Sequence, residues 1–134
     1  MNKKELVDEA IKARGKSYSP YSHFAVGAAL LTKSGRVFTG CNVENISYRL
    51  TMCAEQGAVA SAMAQGERDF VTIAVVADSS RPIVPCGACR QVLAEFNPGM
   101  EVIMATVSGG EETARLDELL PRPAQGILES TKDV

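Results

Sequence analysis

Three cysteines constrain this chain more than any other feature. Cys53 heads the run Cys53-Ala54-Glu55, and about thirty residues later Pro85-Cys86-Gly87-Ala88-Cys89 supplies two more thiols. Both runs open helical stretches. Cys53 to Ala64 is Ala-rich with Met and Val at helical spacing and has Gly66 as a natural cap beyond its end, while Gly87 to Phe96 is stopped by Asn97-Pro98-Gly99. A helix start presents unsatisfied N–H groups and about half a positive charge, which stabilises a thiolate. Two such helix ends facing each other would bring three thiolates together.

The rest of the composition decides what those thiols are for. At 134 residues, with 46% hydrophobic and 22% charged residues, the chain reads as one globular domain, 1–134, with about 122–134 as a loosely ordered tail. A domain of this size buries roughly two thirds of its unfolded surface and needs no disulfide to fold. Fourteen basic residues are scattered among sixteen acidic ones for a net charge of -2, which argues against a nucleic-acid partner. The longest apolar run, Phe24 to Leu31, is far short of a membrane span. The opening MNKKELVDEAIKAR carries acidic residues and no apolar core or cleavage site, so the expected location is the cytoplasm. In that reducing compartment a Cys-x-x-Cys pair points to metal or catalysis more often than to a disulfide, a redox pair being the alternative.

The remaining elements frame the cysteine helices. Lys3 to about Ser17 sets Leu6, Val7, Ala10, Ile11 and Ala13 on one side of a helix, and Pro20 prevents its continuation. Phe24–Thr32 and Arg36–Asn42, joined at Ser34-Gly35, read as a β-hairpin. Phe70 to Ala77 is a nearly continuous apolar run, as expected of a strand covered on both faces, and Glu101–Val107 is another strand. Arg115 to Leu120 offers a last helical turn before Pro121. The order αββαβαβ predicts a mixed sheet with helices on its faces, a three-layer α/β architecture.

Three thiolates suit Zn²⁺, which binds sulfur at roughly 2.3 Å, and three ligands leave one position open. Structural zinc sites are closed by four protein ligands, whereas an open site admits a water whose pKa the metal lowers to roughly 7. Glu55, two residues after Cys53, can sit beside the open position without ligating. It could take a proton from that water, pass it to a ring nitrogen of a bound heterocycle, and protonate a leaving amine. That sequence of transfers is hydrolytic deamination. A non-catalytic module in which the metal merely ties two helices together is the alternative from a different class.

Cys-x-Glu followed by Pro-Cys-x-x-Cys is the zinc-deaminase signature. Through YSPYSHFAVGAAL at 18–30, GCNVENISY at 40–48, CAE at 53–55 and PCGACRQVL at 85–93, the chain resembles the small homotetrameric cytidine deaminases over nearly its whole length. The resemblance implies a three-layer α/β/α fold with a mixed five-stranded sheet. It also implies one Zn²⁺ per subunit and conversion of cytidine or deoxycytidine to the uridine form plus ammonia, a step of pyrimidine salvage. By position, Cys53, Cys86 and Cys89 would ligate zinc and Glu55 would shuttle protons. Phe24 would line the pocket, Asn42 and Glu44 would bind the ribose hydroxyls, Tyr48 would lie near a neighbouring subunit, and the Ala54 backbone would contact the pyrimidine. From spacing alone Phe24 fits the core as well as a pocket wall, and Glu44 fits a solvated turn.

The residue chemistry of the sugar site agrees with that resemblance. Asn42 offers donors and acceptors, and an ionised Glu44 offers acceptors only, a pairing suited to neighbouring hydroxyls. No Gly-rich phosphate loop occurs and Glu44 would repel a phosphate, so a free nucleoside is expected. Two departures from the family pattern bear on chemistry. Gln56 stands where relatives carry Arg after Cys-Ala-Glu, leaving Arg90 as the candidate cation beside the sulfurs. No aromatic residue follows Phe96, so Leu119-Leu120-Pro121 is not succeeded by a base-stacking ring. Substituted cytidines come into range, and a blasticidin-S-type aminonucleoside deaminase is the nearest alternative. Cys41 is expected to be a small buried hydrophobe, His23 to have no role, and Met52, Met63, Met100 and Met104 to fill core.

Overall fold

A computed structural model describes residues 1–123. Residues 124–134, most of the expected tail, lie outside the described residues. The chain runs α1 (Lys3–Arg14), β1 (Val26–Thr32), β2 (Val37–Cys41), a 3₁₀ turn (Tyr48–Leu50), α2 (Ala54–Ala64), β3 (Phe70–Ala77), α3 (Gly87–Ala94), β4 (Glu101–Thr106), β5 (Glu111–Arg115) and α4 (Leu116–Leu119). The five strands form one sheet in the order β2-β1-β3-β4-β5, with β3 and β4 parallel and every other pair antiparallel. This is the mixed five-stranded sheet that the resemblance implies.

Strand alternation explains the three layers. Ala28 and Leu30 of β1, Ile73 and Val75 of β3, and Val102 and Met104 of β4 face a core built with Ala58 and Ala62 of α2 and Leu93 of α3. The intervening residues Ala29, Ala74, Val76, Ile103 and Ala105 meet Leu6 and Ala10 of α1 on the opposite face. Because helices cover both faces, β3 has no polar alternation to show. Asn2 caps α1 through a capping box with Glu5. Gly66, at φ 81°, occupies the left-handed position just past α2 that a Cβ would strain.

Three expectations need correction. The first helix ends at Arg14 rather than Ser17, because the Lys16 and Ser17 N–H groups turn back to the carbonyls of Ala13 and Arg14 and close the end. The residue pattern showed four strands, and β5 escaped it, since Glu-Glu-Thr-Ala-Arg is an edge strand whose side chains are mostly solvated. Met52 fills no core: it is 45% exposed, paired through its backbone to Val43. Met100 and Met104 are buried and Met63 packs partly, as expected.

Candidate metal centre and active site

The helix starts that carry the cysteines come together in the fold. Cys53 is the N-cap of α2 and Cys86 that of α3, both with extended backbone, and each carbonyl accepts the first hydrogen bond of its helix, from Gly57 N–H at 3.1 Å and Arg90 N–H at 3.0 Å. Cys89 lies one turn into α3 and is buried. α2 can approach the sheet closely because β2 has Gly40 beneath it: a Cβ there would lie 2.3 Å from the Ala54 carbonyl oxygen.

The sulfurs of Cys53, Cys86 and Cys89 all lie within 4.8 Å of one another, with those of Cys86 and Cys89 3.5 Å apart. Tetrahedral ligands at zinc–sulfur distances stand about 3.8 Å apart, so the cluster fits the metal. Cys41 is not in it. That thiol lines a separate cavity of about 350 Å³ beside Lys12 and Lys16. Among the described residues no fourth His, Cys, Asp or Glu joins the three sulfurs. The donor set is therefore that of an open zinc site rather than a closed structural one.

Electrostatics inside the cluster are uneven. Hydrogen bonding from the Cys89 thiol draws Cys53 down to about 7, against opposing burial and the charge of Glu55. Cys89 is pushed up, first by that same bond with Cys53, then by burial and Glu55. Glu55 is buried, and its burial raises its carboxyl above the usual range, partly offset by a backbone hydrogen bond and Cys89. The Gln56 amide donates to Cys89 Sγ at 3.5 Å. Arg90 turns elsewhere: its Nη1 donates to the Leu119 carbonyl at 2.5 Å, and its buried Nε has no partner among the described residues.

A cavity of about 210 Å³ opens onto the cluster. Cys53, Ala54, Glu55, Cys86 and Asn42 line it on one side, and Val26, Thr51, Ile83, Val84 and Pro85 complete its largely apolar wall. Phe24, Glu44 and Tyr48 lie outside this lining in the single chain. Phe24 is 39% exposed, and Tyr48 stands on the 3₁₀ turn with its ring edge-on to Tyr21 at 5.9 Å. Glu44 is buried and engaged rather than solvated: Oε1 accepts from the N–H groups of Tyr21 and Ser22, and Oε2 from the Ser22 hydroxyl. The Ser22 hydroxyl is the first cause holding its carboxyl below the ordinary range. Asn42 Oδ1 accepts from Val26 N–H at 2.9 Å and Ser17 Oγ at 2.5 Å, and Nδ2 donates to the Phe24 carbonyl at 2.8 Å. One Nδ2 hydrogen remains for a ligand. The serines that hold these two side chains were not singled out from the sequence. Their signal was the cluster of turn-forming hydroxyls in Ser17-Tyr18-Ser19-Pro20-Tyr21-Ser22.

Residues 1–106 match the family described as "Cytidine and deoxycytidylate deaminase zinc-binding region". The chain belongs to this family. Within it, the chain is 52% identical over 122 residues to the cytidine deaminase of Halalkalibacterium halodurans, covering 90% of this chain and 92% of that one. The crystal structure of the cytidine deaminase from Burkholderia pseudomallei superimposes with a TM-score of 0.88 at 49% identity, covering 90% of this chain and 98% of that one. The blasticidin-S deaminase of Bacillus cereus is 33% identical, with 87% and 88% covered. Family membership accounts for the open three-thiol centre and the fold, and the three sulfurs are grouped to hold zinc.

Proposed function

We propose that this protein deaminates free cytidine and deoxycytidine with water, giving uridine or deoxyuridine and ammonia, as a step of pyrimidine salvage. The observation that carries the reading is the buried Glu55 carboxyl, with raised proton affinity, in the cavity lined by Cys53 and Cys86, two of the three clustered thiols. A module using zinc only as a staple has no use for a buried acid there. Cys53, Cys86 and Cys89 would hold the metal, which when bound supplies the Lewis acidity that makes water nucleophilic near neutral pH.

The protein's own groups do the rest. Glu55 takes a proton from the attacking water and delivers it to the ring nitrogen adjacent to the amine-bearing carbon, then carries the second proton of that water, released as the new carbonyl forms, to the departing amine, so that one water is consumed and one ammonia released. A carboxyl whose proton affinity is raised by burial suits both receiving and donating. The Ala54 backbone would hold the pyrimidine edge, and Val26, Ile83 and Val84 exclude bulk water from it. Asn42, with one N–H to offer, and Glu44, an acceptor only, would read the sugar hydroxyls, with Phe24 against the nucleoside. Gln56 would support Cys89 through its amide.

The assembly proposed is a homotetramer. Ile46, Tyr48 and Leu50 are 84%, 64% and 66% exposed, apolar surface that a partner subunit would cover, and Tyr48 would then serve a neighbour's site. No described helix is long and apolar enough to cross a membrane, and thiolates that must stay reduced suit the cytoplasm.

Ammonia release from cytidine, deoxycytidine, N4-substituted cytidines and blasticidin S tests the reading. Zinc-loaded protein is expected to act on cytidine and deoxycytidine, and Glu55→Ala to lose this activity while retaining zinc. Turnover of blasticidin S in preference to cytidine supports the aminonucleoside alternative. No turnover by zinc-loaded wild type supports the non-catalytic one.

A further inference from the structure

Glu44 takes its hydrogen bonds from one short loop. The N–H groups of Tyr21 and Ser22 reach Oε1 at 3.0 and 3.1 Å, and the Ser22 hydroxyl donates to Oε2. Ser22 Oγ in turn accepts from the Phe24 N–H at 3.0 Å. A hydroxyl has a single hydrogen, so with Phe24 supplying the donor from one side, that of Ser22 is committed to Glu44. The loop is held in this shape from several directions. The His23 N–H donates to the Ser19 carbonyl at 3.0 Å, Tyr21 packs edge-on against Tyr48, and Asn42 Nδ2 holds the Phe24 carbonyl. His23 itself sits at φ 57°, a left-handed conformation that a side chain adopts only where its surroundings require it.

We propose that Ser22 is a positioning residue for sugar recognition: its hydroxyl fixes the Glu44 carboxylate so that the lone pair of Oε2 left over is the one offered to a sugar hydroxyl. This rests on the proposed function, in which Glu44 reads the sugar. Both Oε1 contacts come from backbone and survive any side-chain change, whereas the Oε2 contact belongs to Ser22 alone. Removing that hydroxyl leaves Oε1 held by its two backbone donors but takes away the one bond that fixes Oε2, so the acceptor facing the nucleoside is less firmly directed. A bond to a charged group is also among the stronger ones, so its loss is measurable.

The test is a cycle of two substrates against enzyme variants. kcat/KM is measured with cytidine and with 2′,3′-dideoxycytidine, which lacks the two ring hydroxyls that Glu44 would read, for wild type, Ser22→Ala and Ser22→Thr. Ser22→Ala is expected to lower kcat/KM for cytidine on the order of tenfold. The same variant should change the dideoxy substrate far less, and Ser22→Thr, which keeps the hydroxyl, should restore cytidine. An equal loss with both substrates shows only a loosened loop and overturns the proposal, as does no loss with either. Should the alanine variant not fold, Ser22→Cys, with a weak donor of similar size, is read against the same pattern. A wild type that treats both nucleosides alike removes Glu44 as sugar reader and Ser22 with it. A wild type that binds cytidine without deaminating it defeats the proposed reaction instead, and calorimetric affinities for the two nucleosides then give the same comparison without turnover.

Discussion

Val43 and Met52 exchange two backbone hydrogen bonds of 2.9 Å each, which ties the segment holding Asn42 and Glu44 to the residue immediately before Cys53. On its other side this segment is paired with Tyr18, whose N–H donates to the Asn42 carbonyl and whose carbonyl accepts from Glu44 N–H. The groups proposed to read the sugar and the first metal ligand therefore share one strip of backbone. Displacing either end displaces both.

Gly40 sets how closely α2 rides on that strip. An added Cβ would stand 2.3 Å from the Ala54 carbonyl oxygen and 2.5 Å from the Ala58 nitrogen, and both are backbone atoms that cannot rotate away. Gly40→Ala is expected to cost about 1–3 kcal/mol of stability and to weaken zinc binding, because the helix must lift with Cys53 and Glu55. Denaturant unfolding and chelator competition measure the two effects; a variant normal in both would show that the helix can slide without disturbing the thiols.

The thiols differ in readiness to react once the metal is gone. With Cys53 drawn down to about 7 and Cys89 pushed up and buried, chelator-treated protein at neutral pH is expected to alkylate at Cys53 well before Cys89. Zinc should protect all three while Cys41 stays accessible. Mass spectrometry of iodoacetamide-labelled peptides reads the order, and equal labelling with and without zinc would contradict the three-thiolate site.

Glu44 predicts an acid-side loss of stability. Its carboxyl is held below the ordinary range, so the folded state binds that proton less well than the unfolded chain. The resulting stabilisation is present above the ordinary carboxylate value and is lost as pH falls through the lower folded value. The gap in Tm between wild type and Glu44→Gln should accordingly stay level at neutral pH and narrow under acid, as followed by scanning calorimetry.

Gln56 brings a neutral donor to Cys89 where an arginine would bring charge. Arg90 gives its Nη1 to the Leu119 carbonyl, so the hydrogen bond that reaches Cys89 from this pair is that of the neutral Gln56 amide. Three thiolates and one divalent ion leave a net negative centre, which added positive charge would offset. Gln56→Arg is therefore expected to move the acidic limb of the kcat/KM profile to lower pH, and an unmoved limb would show that the cluster's charge does not govern it.

The chemistry was more legible in the sequence than the surroundings that hold it. Cys53 and Cys86 could be placed because a helix start is marked by local signals: an Ala-rich run for one, and a proline before and an Asn-Pro-Gly after the other. The β3 strand was legible because burial on both faces leaves an unbroken apolar run from Phe70 to Ala77. β5 was not, because a solvated edge strand carries charges that read as loop. The short-range pattern also could not show that Ser17 and Ser22 reach Asn42 and Glu44, more than twenty residues away, since those bonds exist only after β1 and β2 have paired.

Thr51, Ile83 and Val84 rim the cavity, and none of them belongs to a helix or strand. Of the three, Ile83 packs against the main core, whereas Thr51 and Val84 belong to neither core cluster. Randomising Thr51 and Val84 should thus alter which nucleobase derivatives are admitted with little effect on folding, making this part of the rim the natural starting point for directed evolution of the scaffold toward new substrates.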